Sequence, residues 1–413
     1  MLNKSFFFKD KFFLITLIIS TVIKLFLIFF IGDKDLTDEW KILVNNLIEN
    51  QSLLYHEIEG EKLPSVYMPP LYSFFLYLFY LMNFSNFITV KTILIIQSIL
   101  STFSVLILYK LFRSHFTENV AKLLAIVFLF YPLNFYSPLL ISSVSLQVFL
   151  FCFFLYLLFE FDEKKNYLIL GIVSGLLLLI RGEFYAVLII SYISLIFKKK
   201  NISKIFITFI ISVLIVSPYL YRNHKVFNEV VLTKSSGFNL WRGNNILSDT
   251  NGFYAEDYKY PNLVKDKSKI VSELKKNNKL NLYEIEVDNY LKNRALTNIQ
   301  NNPEKYFKLY IKKFLSYLFY NYESNYPGYK KTYIIFPEII ISIFFLIGIF
   351  INIFSNKKNY TLLFITLFYF FIIPVFFILP RYKLFVLPIM CFYIGYLLNY
   401  ILSKKYFFKK TIK

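Results

Sequence analysis

Apolar stretches of about 20 residues recur along this chain, and they limit what it can fold into. Because the hydrocarbon core of a bilayer is about 30 Å thick, a helix of about 20 apolar residues spans it. Such stretches lie at 12–31, 88–110, 119–137, 141–160, 167–182, 184–197, 202–221, 332–353, 359–379 and 382–401. Hydrophobic residues form 57% of the chain and aromatic residues 21%, which excludes an ordinary soluble globule. The pattern predicts an all-α polytopic membrane protein, a bundle of about 10 transmembrane helices.

Two further apolar stretches, 70–82 and 306–320, are short or flanked by lysines. At this length an interfacial or re-entrant helix is expected, and the sequence leaves open whether either stretch crosses the membrane. The first stretch, 12–31, is too long for a cleaved signal peptide and lacks a small-residue cleavage site.

The basic residues indicate how the bundle is oriented. The formal net charge is +20, and many of the lysines lie in short runs beside apolar stretches. These runs are Lys4, Lys9 and Lys11; 198–200; Lys357 and Lys358; and Lys404 and Lys405. By the positive-inside rule both termini are cytoplasmic, and two long polar loops, 32–69 and 222–305, lie outside. The charge therefore needs no nucleic-acid partner to account for it.

Three parts follow from this organisation. Residues 1–221 form an N-terminal transmembrane module that carries the first outer loop. Residues 222–320 form a small outer cap with an interfacial helix, and 321–413 form the C-terminal transmembrane helices.

The first outer loop contains an acidic pair, Asp38 and Glu39, a few residues beyond an apolar stretch. A carboxylate at a membrane surface can accept the proton of a hydroxyl nucleophile, or hold a divalent cation beside a lipid phosphate. The pair can equally mark the start of a helix, since Thr37 or Asp38 would cap the amphipathic stretch from Trp40. The two interpretations are compatible, because a helix start is a rigid mount for a base.

Further motifs follow the acidic pair in a defined order. They are Tyr67-Met68-Pro69-Pro70-Leu71-Tyr72, Gly175-Leu176 with Arg181-Gly182-Glu183, Pro218-Tyr219 with Arg222-Asn223, Asn239-Leu240-Trp241-Arg242-Gly243-Asn244-Asn245, Asn302-Pro303-Glu304-Lys305-Tyr306 with Lys312-Lys313, and Pro380-Arg381-Tyr382-Lys383 with Pro388. In this order they resemble the GT-C superfamily, specifically bacterial polyprenyl-phosphate-sugar glycosyltransferases related to protein O-mannosyltransferases and the aminoarabinose transferase of lipid A. The chain departs from that pattern at Gly182, where the family prefers proline.

The resemblance implies a GT-C type bundle in the bacterial inner membrane, with interfacial helices in the first outer loop and a periplasmic active site. It implies transfer of a sugar from a polyprenyl-phosphate donor to a hydroxyl of a lipid, glycan or protein, with inversion at the anomeric carbon. Asp38 would be the general base, and Glu39 would position it or bind the acceptor.

Cations at the outer ends of helices are candidates for the donor phosphate. Arg381, Lys383, Lys313 and Arg181 are expected there, because arginine offers a planar fork and lysine a point charge to phosphate oxygens. The alternatives are snorkelling of the lysines to the membrane surface and a structural pair of Arg181 with Glu183.

Candidate sugar or acceptor contacts are Tyr67, Asn239, Trp241 and Asn244, since amides bond hydroxyls and an aromatic face stacks on a pyranose ring. The alternative for the segment around Trp241 is a structural turn anchored at the membrane surface. Histidine and cysteine form no metal-ligand pattern, the sequence identifies no certain cofactor, and a divalent cation at the acidic pair stays open.

Two other functions remain open. A flippase or transporter of a lipid-linked saccharide is the main alternative, but such proteins show internal repeats and paired broken helices, and no repeat is evident here. A polysaccharide polymerase or ligase is the third, against which the acidic pair in the first loop argues. The identities of the sugar and of the acceptor do not follow from the sequence.

Overall fold

The structure, a computed structural model, describes residues 11–36, 38–162, 165–252, 261–324, 328–354 and 359–411. At residue 38, at 261–262 and at 403–411 it describes the backbone alone. Thr37, proposed above as a helix cap, lies outside the described residues.

Helices dominate the described chain. In order they are α1 (Lys11–Phe30), α2 (Asp38–Asn50), α3 (Leu71–Tyr80), α4 (Asn86–Arg113), α5 (Glu118–Phe130), α6 (Pro132–Tyr136), α7 (Val144–Phe159), α8 (Asn166–Ile180), α9 (Phe184–Phe197), α10 (Ile202–Phe227), α11 (Ser236–Gly243), α12 (Pro261–Lys276), α13 (Tyr283–Asn301), α14 (Pro303–Leu318), α15 (Thr332–Ile353), α16 (Tyr360–Ile372) and α17 (Leu387–Thr411).

Four helices are long and apolar enough to cross a membrane, namely α1, α4, α10 and α15. The bent pair of α5 with the segment 132–139 would be a fifth, and six further apolar helices within the described residues are shorter. The protein is therefore a helical membrane protein, and the count of about 10 spanning helices stays a prediction.

The stretch 119–137, predicted as one helix, is broken. α5 ends at Phe130, and the following segment is bent from it by 62°. Tyr131 has ψ 122° before Pro132, which is the extended conformation that proline imposes on the residue before it. The prediction of a straight helix here was wrong because Pro132 begins a new helix.

The last two predicted spans are also interrupted. α16 ends at Ile372 and runs into a short 3-10 turn containing Pro374. A second 3-10 turn, Pro380–Phe385, precedes α17, which begins at Leu387. Arg381 and Lys383 therefore lie on an irregular segment between two helices, whereas the sequence pattern placed Lys383 inside a span.

The segment 32–69, predicted as the first outer loop, is not all-α. After α2 the chain forms an antiparallel hairpin of β1 (Leu54–Ile58) and β2 (Glu61–Pro64). Its turn has positive φ at both Glu59 and Gly60, the geometry of a tight two-residue hairpin turn. The hairpin lies in the connection between α2 and α3.

One large hydrophobic core joins the two ends of the chain, since it contains side chains from Phe13 of α1 to Ile394 of α17. A small separate core lies in the predicted cap, where Trp241 packs against Leu263 of α12 and Leu291 of α13. The predicted N-terminal and C-terminal modules thus share the large core, and the predicted cap contributes to that core as well as to the small one.

Candidate functional site

Four segments that are far apart in sequence meet at one end of the bundle. They are the loop 32–36, the segment 137–144, the turn 181–183 and the segment 376–385, which together we name the rim. The carboxylate of Asp33 accepts a hydrogen bond of 2.7 Å from the backbone N–H of Ile141, α6 and α7 contact the turn 380–385, and Arg181 lies 4.6 Å from the ring centre of Phe385. The opposite end carries other ion pairs, such as Arg113 with Glu118 at 3.9 Å.

The acidic pair lies at the start of α2. Asp38 is the first residue of that helix and its side chain is outside the described part, while Glu39 is exposed. The helix is held by its buried face, in which Leu43, Val44 and Leu47 are nearly inaccessible. A carboxylate in the first turn is favoured by the helix dipole. The pair is thus carried by a packed helix next to the loop 32–36.

Two acidic residues that the sequence analysis did not single out shape this loop. Asp33 bonds Ile141, and Asp35 accepts hydrogen bonds of 2.9 Å from the Asn86 amide and 3.5 Å from the Lys41 ammonium. Lys91 of α4 donates to the carbonyls of Ile28, Gly32 and Asp33 at 2.7–3.1 Å. The sequence contains a signal for this contact. Lys91 is a lysine inside the apolar stretch 88–110, and such a residue needs partners within the protein.

Arg181 forms the pair with Glu183 that the sequence left open. The distance from its Nη2 to the Glu183 carboxylate is 3.0 Å. Its guanidinium also lies 4.6 Å from the ring centre of Phe385 and 5.3 Å from that of Tyr382. Arg181 is therefore ion-paired with Glu183 and stacked on two aromatic rings of the turn that carries Arg381.

Arg381 differs from the other predicted cations. It is partly exposed, at the start of the turn 380–385. Among the residues that the structure describes, none forms a hydrogen bond or an ion pair with its guanidinium. A charged group in this position is free to bind an anion.

Lys383 points into the protein. Its ammonium donates to the carbonyl of Phe319 and lies 3.4 Å from the Glu338 carboxylate. Glu338 also accepts a 2.7 Å hydrogen bond from the Tyr329 hydroxyl. The side chains of Lys383 and Glu338 are 4% and 1% exposed, so the pair is internal and fixes the turn to α15.

Lys313 of α14 is likewise fully buried. It donates to the carbonyls of Gly243 at 2.7 Å and Phe376 at 2.6 Å, and lies 3.3 Å from the Asn244 side-chain oxygen. Burial lowers the pKa of Lys313 to about 7, while the surrounding oxygens favour its charged form. The ammonium thus joins α11, α14 and the rim segment 376–385.

The segment that begins at Asn239 packs inward. Trp241 is 2% exposed in the small core, and Asn239 is partly exposed. Asn244 is buried and donates to the carbonyls of Leu240 and Val375 at 2.8 and 2.9 Å. A side chain at Gly243 would meet the Phe376 carbonyl at 1.8 Å, which explains the glycine. The structural interpretation of this segment, a turn anchored by Trp241, fits these contacts.

Tyr67 lies in a seam between the two outer loops. Its ring is 5.8 Å from that of Phe238 and stacks on Tyr55 at 6.2 Å. The hydroxyl of Thr233 donates to the Tyr67 carbonyl at 2.8 Å. Tyr67 therefore joins the hairpin to the chain that precedes α11, and its ring is partly exposed.

A buried carboxylate that the sequence analysis missed lies in the same seam. Glu284 of α13 accepts a 2.7 Å hydrogen bond from the backbone N–H of Val66, and its other oxygen lies 3.5 Å from His56. Burial raises the pKa of Glu284 to about 7 and lowers the pKa of His56 to about 4. At neutral pH this contact is therefore not between two full charges. Arg222 completes the seam with hydrogen bonds to the carbonyls of Ser65 and Leu53.

No group of three or more histidine, cysteine, aspartate or glutamate side chains is arranged to hold a metal ion within the described ranges. A cation site that uses the Asp38 side chain falls outside them.

The chain matches a sequence family described as a predicted membrane protein, DUF2079, over residues 72–231, which is less than half of its length. No curated protein matches it significantly.

Solved structures with a similar fold include the oligosaccharyltransferase of Archaeoglobus fulgidus. The form tethered to an acceptor peptide has a TM-score of 0.56 at 17% identity, over 97% of this chain and 51% of that one. The form in complex with an inhibitory peptide and a dolichol-phosphate gives 0.54 at 14%, over 98% and 52%. The apo form gives 0.52 at 15%, over 98% and 52%. This chain thus spans about half the length of those proteins and shares their fold.

Proposed function

We propose that this protein is a membrane glycosyltransferase that moves a sugar from a polyprenyl-phosphate donor to a hydroxyl group of a lipid, glycan or protein on the periplasmic side. The shared fold supports the general class. A solved structure of that fold carries a dolichol-phosphate, and another carries an acceptor peptide. Donor and acceptor of this kind are therefore part of the proposal.

The proposal rests on the exposure and the contacts of the Arg381 side chain. It is a partly exposed guanidinium on the rim without an internal partner among the described residues, and it follows Pro380, which stiffens the turn. In the proposal it binds the donor phosphate, whose charge grows as the sugar leaves. Preorganised cations at developing charge are usually the largest single catalytic contribution.

The proposed transfer forms one bond and breaks one bond at the anomeric carbon of the sugar. The acceptor oxygen forms a bond to the anomeric carbon while the bond from that carbon to the phosphate oxygen breaks. The acceptor proton moves to the Asp38 carboxylate, and the electron pair of the broken bond leaves with the polyprenyl phosphate. Glu39, one residue further along α2, orients the acceptor or the base.

The other predicted cations are assigned supporting roles. Lys383 and Lys313 are engaged by Glu338 and by backbone carbonyls, so we propose that they hold the rim segment 376–385 in place. Arg181, which is paired with Glu183, stacks against Tyr382 and Phe385, so we propose that it braces the turn that carries Arg381.

The direct test is Asp38→Asn in membranes supplied with a labelled polyprenyl-phosphate sugar. We expect transfer to fall by about 100-fold or more, because general-base catalysis typically contributes that much. The matched control is Glu49→Gln, which removes a carboxylate at the far end of the same helix. Normal transfer by Asp38→Asn would refute the catalytic role of Asp38.

The product separates this proposal from a flippase. An enzyme releases free polyprenyl phosphate and glycosylated acceptor, whereas a flippase moves the intact donor between leaflets. A reporter inserted within residues 240–300 tests the orientation, since a cytoplasmic signal there would place the site on the wrong face.

A further inference from the structure

A groove in the predicted cap is not used by the mechanism above. It lies between α12 and α13 and has a volume of about 570 Å³. Small-molecule sites range from about 300 to 1,000 Å³, so the groove has room for a group the size of a mono- or disaccharide. Leu263 of α12 and Leu291 of α13 share a small hydrophobic core with Trp241, which packs the two helices together.

The walls of the groove are polar and mostly cationic. Lys265, Lys269 and Arg294 line it, against a single carboxylate, Asp266. Among the described residues that line it, none has an aliphatic side chain. A negatively charged, hydroxyl-rich ligand finds positive charge and hydrogen-bond donors there.

The one carboxylate is already engaged. Asp266 accepts a hydrogen bond from the Tyr290 hydroxyl and lies 3.6 Å from Arg294 and 3.5 Å from Lys269. The guanidinium of Arg294 in turn donates to the Tyr290 hydroxyl at 2.8 Å. These contacts hold Arg294 and the Tyr290 ring in place, and Lys265 has no acidic partner among the described residues.

The groove is connected to the rim through few residues. The amide of Asn298, which lines the groove, donates to the carbonyl of Asn244 at 3.1 Å. Asn244 donates to Val375 and lies 3.3 Å from Lys313, next to the segment that leads to Arg381. A ligand bound in the groove would thus lie beside Asn298, which is linked through Asn244 and Lys313 to the rim segment 376–385.

We propose that this groove binds an anionic saccharide, and that it thereby selects an acceptor bearing carboxylate or phosphate groups. The second part rests on the proposed glycosyltransferase function, while the first part does not. The three cations attract the anionic groups, and the Tyr290 ring and the amide side chains contact the sugar.

The experiment measures equilibrium binding to the full-length protein in lipid nanodiscs, without donor and therefore without turnover. The probes are digalacturonate, which carries carboxylates, glucose 6-phosphate, which carries a phosphate, and maltose as the neutral saccharide. We expect the anionic probes to bind, with affinity that falls as salt is raised, and maltose to bind at least tenfold more weakly, about what a few exposed charge contacts supply. Binding of only one anionic probe supports the proposal and identifies the charged group that is recognised.

The variant Lys265→Gln/Lys269→Gln/Arg294→Gln should lose about tenfold or more in affinity for the anionic probes. The control Lys276→Gln/Lys292→Gln/Lys308→Gln removes the same charge from exposed positions that do not line the groove, and should bind normally. Equal binding of maltose and the anionic probes, or equal loss in both variants, would overturn the proposal. Because Lys265 and Lys269 are exposed, the double variant Lys265→Gln/Lys269→Gln provides a folded protein if the triple variant is unstable, and it should show a smaller loss in the same direction.

The outcome is independent of the transfer assay. If the probes bind as expected but Asp38→Asn transfers normally, the groove stands and the proposed catalytic role fails. If transfer depends on Asp38 but the probes do not bind, the enzyme proposal stands and the groove assignment fails.

Discussion

Two neighbouring regions of this protein use the same residue types in different ways. In one of them, the protein interior next to the rim surface, the side chains of Lys383 and Lys313 are buried and surrounded by oxygen atoms of the protein itself. On the rim, Arg381 is partly exposed and has no such partner within the described residues. A buried charge must be paired inside the protein, whereas a charge at a surface can remain available to a ligand. Lys383 and Lys313 therefore stabilise the packing of the protein, whereas Arg381 is a candidate for binding a ligand.

The largest expected effect is on folding, at the buried pair. Lys383→Met leaves the buried Glu338 carboxylate with its hydrogen bond from Tyr329 but without the ammonium of Lys383. Removing one partner of a buried pair costs about 3–5 kcal/mol, so we expect a marked fall in thermal stability of the detergent-solubilised protein. Lys383→Met/Glu338→Gln should recover most of it, since no charge is left unpaired. Full stability of the single variant would show that the pair does not support the rim.

Arg381→Ala should affect activity and leave the fold intact. If this guanidinium stabilises the departing phosphate, transfer should fall by about 100- to 1,000-fold, which is typical for loss of one preorganised donor. Thermal stability should not change, because no described residue pairs with it. Arg113→Ala, at the opposite end of the bundle, is the control and should retain transfer. Normal transfer by Arg381→Ala would show that Arg381 does not stabilise the departing phosphate. Its exposure would then not distinguish its function from that of the buried lysines.

Lys313→Met tests the second buried cation with a smaller effect. The carbonyls of Gly243 and Phe376 would lose their ammonium donor. An unsatisfied buried polar group costs about 1–3 kcal/mol, so melting should occur at a lower temperature than in wild type. The exposed variant Lys308→Met serves as the control. If Lys313→Met instead abolishes transfer at unchanged stability, Lys313 belongs with Arg381 as a phosphate ligand.

The smallest effect concerns pH, in the seam between the outer loops. Burial raises the pKa of Glu284 to about 7, so the folded protein holds this proton more tightly than the unfolded chain does. The stabilisation is fully present below the ordinary glutamate pKa and is lost as the pH rises through about 7.

Between pH 6.5 and 8 the linkage amounts to about 1 kcal/mol, and His56, with a pKa of about 4, is neutral there in the folded state. Unfolding should therefore be compared between wild type and Glu284→Gln across this range. The difference in stability should shift in favour of the variant as the pH rises. Glu273→Gln, an exposed carboxylate on α12, should follow wild type at every pH.

Several local features could be predicted because they depend on nearby residues. The membrane class follows from apolar stretches, the helix that begins at Asp38 follows from the acidic pair before an amphipathic pattern, and the pair of Arg181 with Glu183 joins residues two apart. The break before Pro132 has a signal in the sequence, the proline itself, but apolar length alone predicts an unbroken helix there.

The roles of the cations could not be predicted in the same way. Lys313, Lys383 and Arg381 are all basic residues beside apolar stretches, so hydropathy and charge bias describe them alike. Trp241 and Asn244 were expected to contact substrate because they are polar or aromatic in an outer loop. Their burial depends on α12, α13 and the segment 373–376, which the local sequence does not specify.

The sequence by itself determined a helical membrane protein and an acidic pair at the start of a helix, because periodicity and capping act over a few residues. Only the tertiary structure decided which charges are engaged. Phe319 lies 64 residues from Lys383, and Gly243 lies 70 residues from Lys313. Whether such a carbonyl lies within hydrogen-bond distance of an ammonium is set by the packing of distant segments, and that packing leaves Arg381 on the rim.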